Sequence, residues 1–361
     1  MSDTEASRVV FDPEGPAVHL RSLGVRLGRR SASVAEAVAD GRYRADHAER
    51  DGYTAVRVSE ETVPQAASAI ARATVAAGEV EGGDLGCVTF SAVHAHGHRA
   101  FWQPAAALQR VLGAERALAW SLHHGCNAHV LAMIQGAAML RSVGGHSLHV
   151  AADRFSGTRF DRWRSDTGLV YGDAAVAVCL SRHGGFARIV HMDVESLPDL
   201  ETMHRLPEPL HDAEDHWNIS ETKRLHLAEA GREGFVERIR AAAEALRARL
   251  PSSSAAGEGL FDGVVTPFVG DPIARAAYGA VFHPLGKRTA EAHGRTVGHT
   301  GAGDQVVGLH YLLSTGETTA GQRYLMVGAG AGFSIGVVVI ELTGPVQAKG
   351  EAICRFDAAG R

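Results

Sequence analysis

Apolar positions along the chain fall into two alternating rhythms. Runs of near-continuous apolar residues such as "AVHLRSLGVRLG" (17–28), "LGCVTFSAV" (85–93), "RALAWSL" (116–122) and "HSLHVAADRF" (146–155) predict buried strands. Between them, "ETVPQAASAIARATVAAGEV" (61–80) and "PAAALQRVLG" (104–113) place apolar residues three and four apart, the spacing of an amphipathic helix. A further helix starts near Cys126, and "LVYGDAAVAVCLSR" (169–182) reads as two short strands around a Gly-Asp turn.

The second half repeats this style. It offers a strand in "FARIVHMDVES", a helix in "GFVERIRAAAEALRARL", and a strand and helix in "FDGVVTPF" and "PIARAAYGAVF". The helix "DQVVGLHYLLSTG" and the strands "QRYLMVGAG" and "GFSIGVVVIEL" close the pattern. Alternation of buried strands with helices predicts an α/β architecture with a sheet covered on both faces. The similar order of elements suggests an internal duplication, residues 1–185 and 186–361. The His-, Glu- and Asp-rich stretch from 195 to 230 breaks the rhythm and reads as a surface excursion.

Composition narrows the class. The chain has 361 residues, 45% hydrophobic and 21% charged, with a formal net charge of -5. No basic stripe runs through it, which argues against nucleic acid as the main partner. The dense basic cluster "RLGRRSASVAEAVADGRYR" has acidic neighbours and reads as solvated surface. The polar, acidic start "MSDTEASRVVFDPEGP" carries no apolar signal core, and no run of about 18 apolar residues predicts a membrane span. Four widely spaced cysteines (Cys87, Cys126, Cys179, Cys354) form no disulfide framework and fit a reducing cytoplasm.

Candidate chemistry centres on "SLHHGCNAHVLAMIQGAAML" (121–140), where Cys126 lies near the first turn of a helix. Free backbone N–H groups and a partial positive charge there favour a thiolate. Taken alone, such a cysteine is more often a small buried residue. The neighbouring histidines (His94, His96, His98; His123, His124, His129) could be imagined as metal ligands, but no second cluster with ligand spacing completes a set, so no metal is expected.

Set in order, the Cys126 stretch, "LHVAADRFS", "GDAAVAV" and "VGAGAGFSIGVVVIE" resemble the β-ketoacyl-acyl-carrier-protein synthase III branch of the thiolase superfamily, from Val18 to Leu342. The resemblance implies a five-layered αβαβα fold of two duplicated halves and a homodimer. It makes Cys126 the acyl-accepting nucleophile at the base of a pantetheine tunnel. It also implies an oxyanion hole from the backbone N–H groups of Cys126 and Ala331, the latter in a Gly-rich turn. No helix-forming segment follows that turn, as a dinucleotide site would require.

Two positions depart from the family pattern. Phe268, in "VVTPFVGD", stands where condensing members have a histidine; in "GHTGAGD", His299 replaces an asparagine and Asp304 follows five residues later. Decarboxylative condensation needs donors for an enolate oxygen, each worth about 3–4 kcal/mol, and phenylalanine donates nothing. A Cys126–His299–Asp304 triad is chemically complete for acyl transfer, and it resembles an offshoot of synthase III, the Cys-His-Asp acyltransferases of polyketide and antibiotic pathways. The resemblance implies an acyl group taken from coenzyme A or an acyl carrier protein and passed to a hydroxyl, amine or carrier thiol, with no permanently bound cofactor. Asp304 also fits an ordinary helix N-cap.

His98, Phe101, Trp102 and Gln103 are expected to line the acceptor side. Arg154, Arg159, Arg162 and Arg164, with Trp163 among them, fit either a phosphate-facing tunnel mouth or a solvated loop, and the charge pattern favours the loop. The rival readings are a starter-unit ketosynthase and a catalytically silent partner subunit.

Overall fold

The computed structural model describes residues 17–94, 102–205, 218–251, 258–270, 272 and 275–355. The first half contains β1 (His19–Leu27), β2 (Arg30–Ser33), α1 (Val34–Ala39), α2 (Ala45–Asp51), β3 (Ala55–Val58) and α3 (Val63–Ala77). It continues with β4 (Leu85–Ser91), α4 (Pro104–Leu112), β5 (Leu118–Leu122), α5 (Ala128–Val143), β6 (His146–Asp153) and β7 (Ala174–Ser181). The second half contains β8 (Ala187–Ser196), α6 (Ile219–Ala230), α7 (Arg232–Ala248), β9 (Gly263–Val265), α8 (Glu291–Val297) and α9 (Asp304–Ser314). It ends with β10 (Arg323–Gly330), β11 (Ser334–Leu342), β12 (Val346–Lys349) and β13 (Ala352–Arg355).

The strands follow the order β5-β4-β6-β7-β1-β8-β11-β10-β9, with β13 on β1 and β12 on β13. The β4–β5, β4–β6 and β9–β10 pairs are parallel; β6–β7, β1–β7, β8–β11 and β10–β11 are antiparallel. Only two residue pairs, His19–Arg188 and Leu20–Ala187, join β1 to β8, so the sheet divides there into two blocks linked by a narrow hydrogen-bonded seam.

Hydrophobic burial sorts the helices into layers. Ile70 and Ala71 of α3 and Leu108 of α4 pack on Val88, Leu148 and Ala177 of the first block. Ile239, Ala243 and Leu246 of α7 pack on Leu325, Val337 and Val339 of the second. Val130 and Met133 of α5 share one cluster with Val306, Leu309 and Leu312 of α9 and with Val176, Val178, Val338 and Ile340 from both blocks. Helices α5 and α9 therefore fill the space between the two blocks, giving the five-layered αβαβα arrangement. All eight residues of β7 are buried, as a strand covered on both faces requires.

Local sequence explains the element starts. At the start of α3, Gln65 Oε1 accepts the Thr62 N–H at 2.8 Å, satisfying a donor that would otherwise be orphaned, and Pro64 sits where no N–H is needed. Gly136 lets α5 approach β6: a Cβ there would lie 2.0 Å from His149 Nε2.

Three expectations are corrected. Residues 169–182 hold one strand, β7; the preceding part makes an isolated Tyr171–His299 bridge, because its backbone groups are shared among His299, Arg162 and Arg57 and form no continuous ladder with one neighbour. The 195–230 stretch is not a peripheral excursion: Leu197, Leu200 and Met203 join the α7 core, and Thr222 on α6 is buried. Arg162 is no solvated charge. It is buried, paired with the fully buried Asp173 at 2.9 Å, and donates to the carbonyl of Tyr171, also at 2.9 Å. Trp163 is likewise buried, 5.7 Å from the Tyr43 ring. Arg30, Arg42 and Arg44 lie exposed as expected, whereas Arg26 is held by Glu61 at 2.7 Å and Glu351 at 2.5 Å.

The close approach of α5 to β6 gives a test. Gly136→Ala should lower unfolding stability by about 1–3 kcal/mol, the cost of overpacking a filled core, measured by urea denaturation. An unchanged midpoint would mean that this contact is not close-packed.

Candidate active site

Cys126 lies in the short 3₁₀ turn Gly125–Asn127 that leads from β5 into α5. The turn is packed against the β10–β11 loop so tightly that a Cβ on Gly330 would come within 2.4 Å of Asn127 N and 2.8 Å of Cys126 N. Only glycine permits that approach. An ideal Cβ on Gly125 would likewise lie 2.8 Å from Ala331 N, which brings the Ala331 amide beside the nucleophile's turn. Asn127 and His124 both reach Ser334 Oγ, each at 2.8 Å, and pin the turn to β11.

His299 lies on the opposite side. Its backbone N–H donates to the Val170 carbonyl at 2.8 Å and its carbonyl accepts from Gly172 at 2.9 Å, which fixes the loop ahead of α9. From there, Nε2 lies 2.9 Å from Cys126 Sγ and Nδ1 lies 2.5 Å from Asp304 Oδ2. Asp304 is fully buried. Its Oδ1 accepts from Thr300 N at 2.7 Å and Thr300 Oγ1 at 2.8 Å, and its Oδ2 also accepts from Phe268 N at 2.7 Å. Three protein donors besides the imidazole compensate this buried charge. Asp304 is the first residue of α9, not its N-cap; the carboxylate turns back to the loop, where the sequence had also allowed a capping role.

The electrostatics follow. Burial pulls the His299 imidazole down, but Asp304 and Cys126 outweigh it and hold the group well above its usual 6.5. A charged imidazolium 2.9 Å from sulfur is the counterion a thiolate needs. Elsewhere burial pushes the Cys87 thiol up to about 11 and the Cys179 thiol to about 12. Cys126 is half-buried and opens into a cavity of about 170 Å³, mostly apolar, with Leu169, Met203, Phe235, Ile239 and Phe333 in its walls.

The remaining sequence candidates are dispersed. The Phe268 side chain turns away from the cavity: it packs on Gly294 of α8 and 6.4 Å from the His293 ring, while Pro267 and Val269 face the cavity. The apolar ring turns into the core and leaves its backbone N–H to Asp304. Trp102 is half-buried and borders a cleft shared with Val63, Pro64, Phe90 and Leu108 between α3 and α4, and Gln103 at the start of α4 is exposed. Neither is among the residues around Cys126. His98, His96 and Phe101 lie outside the described residues.

His94 is buried edge-on to Phe155 at 4.9 Å; His129, on α5, is fully buried and pulled down to about 4 by desolvation. Among the described residues, no group of three His, Cys, Asp or Glu side chains is placed to hold a metal. Arg164 donates to the carbonyls of Arg42 and Gly41, so it braces the α1–α2 connection and is not free for phosphate. Sequence reasoning missed Thr300, although it sits inside "GHTGAGD", and Tyr171, whose ring lies edge-on to His299 with centroids 5.0 Å apart.

Removing the charge of Asp304 tests this arrangement. Asp304→Asn should slow alkylation of Cys126 by iodoacetamide at neutral pH by roughly tenfold or more, because the imidazolium loses its main stabiliser. Equal rates in both proteins would show that the imidazole charge does not support the thiolate.

Comparison with known proteins came to the same family. Residues 121–198 match the model of 3-oxoacyl-[acyl-carrier-protein] synthase III, and residues 274–342 match its C-terminal model. The solved structure of ChlB3, described as an acyltransferase, is similar at 28% identity, covering 91% of this chain and 99% of that one with a TM-score of 0.80. The priming β-ketosynthase of the R1128 polyketide pathway is similar at 21% identity, covering 93% and 99%, with a TM-score of 0.67. The synthase III of Pseudomonas aeruginosa PAO1 is similar at 19%, covering 92% and 100%, with a TM-score of 0.72. No curated protein matches. In its two matched segments, its layered fold and its solved relatives, the chain is similar to the synthase III branch of the thiolase superfamily.

Proposed function

We propose that this protein is an acyltransferase that works through an acyl-Cys126 intermediate and forms no carbon–carbon bond. The observation that carries the reading is the unbroken line from Cys126 Sγ through His299 to Asp304 Oδ2, with links of 2.9 and 2.5 Å, at the wall of an apolar cavity. Cys126 thiolate attacks the thioester carbonyl, and the tetrahedral oxyanion is met by the backbone N–H groups of Cys126 and Ala331. Collapse breaks the carbon–sulfur bond to coenzyme A or the carrier protein, and the His299 imidazolium protonates the departing thiolate.

Neutral His299 then takes the proton of an incoming hydroxyl, amine or carrier thiol. The acceptor attacks the acyl carbon, the bond to Cys126 breaks, and the thiolate is restored beside the imidazolium. Asp304 fixes the imidazole with Nδ1 as donor and balances its positive charge. A silent partner subunit would have no use for this arrangement.

Condensation is disfavoured by the direction of Phe268. A decarboxylating site needs two donors at the enolate oxygen, and here the ring points to Gly294 while its N–H is spent on Asp304. The similarity to ChlB3 supports the acyltransferase reading; the likeness to ketosynthases, at 19–21% identity, speaks for the fold alone. A homodimer acting in the cytoplasm on polyketide or related secondary metabolites, with no permanently bound cofactor, completes the proposal.

The test is incubation with acyl- and malonyl-coenzyme A, with intact mass and carbon dioxide release followed together. The expected result is an acyl adduct on Cys126, absent in Cys126→Ala, without carbon dioxide above background. Stoichiometric decarboxylation with a condensed product would overturn the reading. His299→Ala should lower transfer to the acceptor by about 10³-fold or more while acyl loading falls less, measured by single-turnover kinetics. An equal loss of both steps would show that His299 serves mainly to activate the thiol.

A further inference from the structure

The cavity beside Cys126 is not apolar throughout. On one side Lys223 Nζ of α6 lies 2.5 Å from Asp166 Oδ1, and Tyr171 donates its hydroxyl to Asp166 Oδ2 at 2.6 Å. Asp166, Lys223, Tyr171 and His204 all line the cavity. Among the described residues, His204 Nδ1 is buried with no hydrogen-bond partner, and desolvation pulls this imidazole down to about 4, so it is neutral. Lys223 carries three N–H donors, and among the described residues one of them is taken by Asp166. The polar side chains are connected to the catalytic centre by one residue, since the Tyr171 ring also lies edge-on to His299.

Such a cluster is costly in an apolar wall. An unpaired buried polar atom loses its water without return, and it is retained where something else pairs with it. The charges of the cluster cancel: one carboxylate, one ammonium, a neutral imidazole and a phenol. A second carboxylate entering here would therefore be uncompensated, whereas a neutral group with both donor and acceptor capacity can pair with His204 Nδ1 and a Lys223 N–H together. Size limits the rest. The space of about 170 Å³ compares with the ~150 Å³ cavity that holds a benzene ring.

From this we infer that the acyl group carried on Cys126 is compact, of the size of a single ring or a short chain, and bears an uncharged hydroxyl that pairs with His204 and Lys223. This rests on the acyl-cysteine reading above and names its substrate class. Lys223 and His204 act as specificity-determining residues; neither touches the reacting carbon.

The experiment uses the full chain and coenzyme A thioesters of butyric, hexanoic and benzoic acid, each with and without a hydroxyl at the end remote from the thioester. Glutaryl-coenzyme A serves as the charged analogue. Initial rates of Cys126 adduct formation are read by intact mass. For at least one pair the hydroxylated acyl group should load about ten- to a hundred-fold faster than its parent, the discrimination that one unpaired buried group implies. That ratio should fall towards one in His204→Phe, which leaves the Lys223–Asp166 pair intact, and in Lys223→Met.

Because the readout is a ratio, a general loss of rate in a variant does not imitate the effect. Ratios near or below one in every pair, or ratios unchanged in both variants, overturn the inference, as does faster loading of the glutaryl group than of all hydroxylated ones. Absence of any Cys126 adduct with every thioester instead overturns the acyl-cysteine reading itself.

Discussion

A carboxylate buried without compensation would unfold or neutralise itself, and the active site is arranged so that Asp304 does neither. Two donors come from Thr300, one from the backbone of Phe268 and one from His299. Together they fix three segments: the loop ahead of α9, the stretch after β9 and the imidazole itself. Through His299 the same charge reaches Cys126, and through Cys126 the 3₁₀ turn that starts α5. Placement of Cys126, the charge of His299 and the position of residue 268 thus depend on one side chain.

This dependence gives a physical basis for the proposed acyl transfer on a synthase III-like scaffold. A polar side chain at residue 268, aimed into the cavity, would add a donor to the site. Phe268 instead turns its ring into the core beside α8 and contributes through its peptide N–H. The site gives up a side-chain donor and gains an anchor for the triad. On the proposed reading, the chemistry is that of moving a proton between a thiol and an acceptor and not of stabilising an enolate.

Much of the scaffold was legible because strand and helix differ in period. The runs at 85–93, 116–122 and 146–155 became β4, β5 and β6, and the spacing in 61–80 became α3. Cys126, His299 and Asp304 were readable because the departures from a family pattern made chemical sense together. What was not legible lies in side-chain direction and long-range contact. Nothing in "VVTPFVGD" tells which way Phe268 points, and nothing in "DRFSGTRFDRWR" tells that Arg162 finds Asp173 on the far side of a turn. Trp102 and Gln103 are expected on the acceptor side, yet the fold places them at the start of α4. The 195–230 stretch looked peripheral because its charges mask the apolar face that meets α7 and the cavity.

The central claim is that Asp304 keeps His299 charged for as long as Cys126 is a free thiolate. Nitrogen-15 NMR of the histidine ring at neutral pH, before and after acylation of Cys126, tests it most directly. The account predicts both ring nitrogens of His299 protonated in the free enzyme, with the charge weakened once acylation removes the thiolate partner. A neutral His299 in the free enzyme, unchanged on acylation, would contradict it.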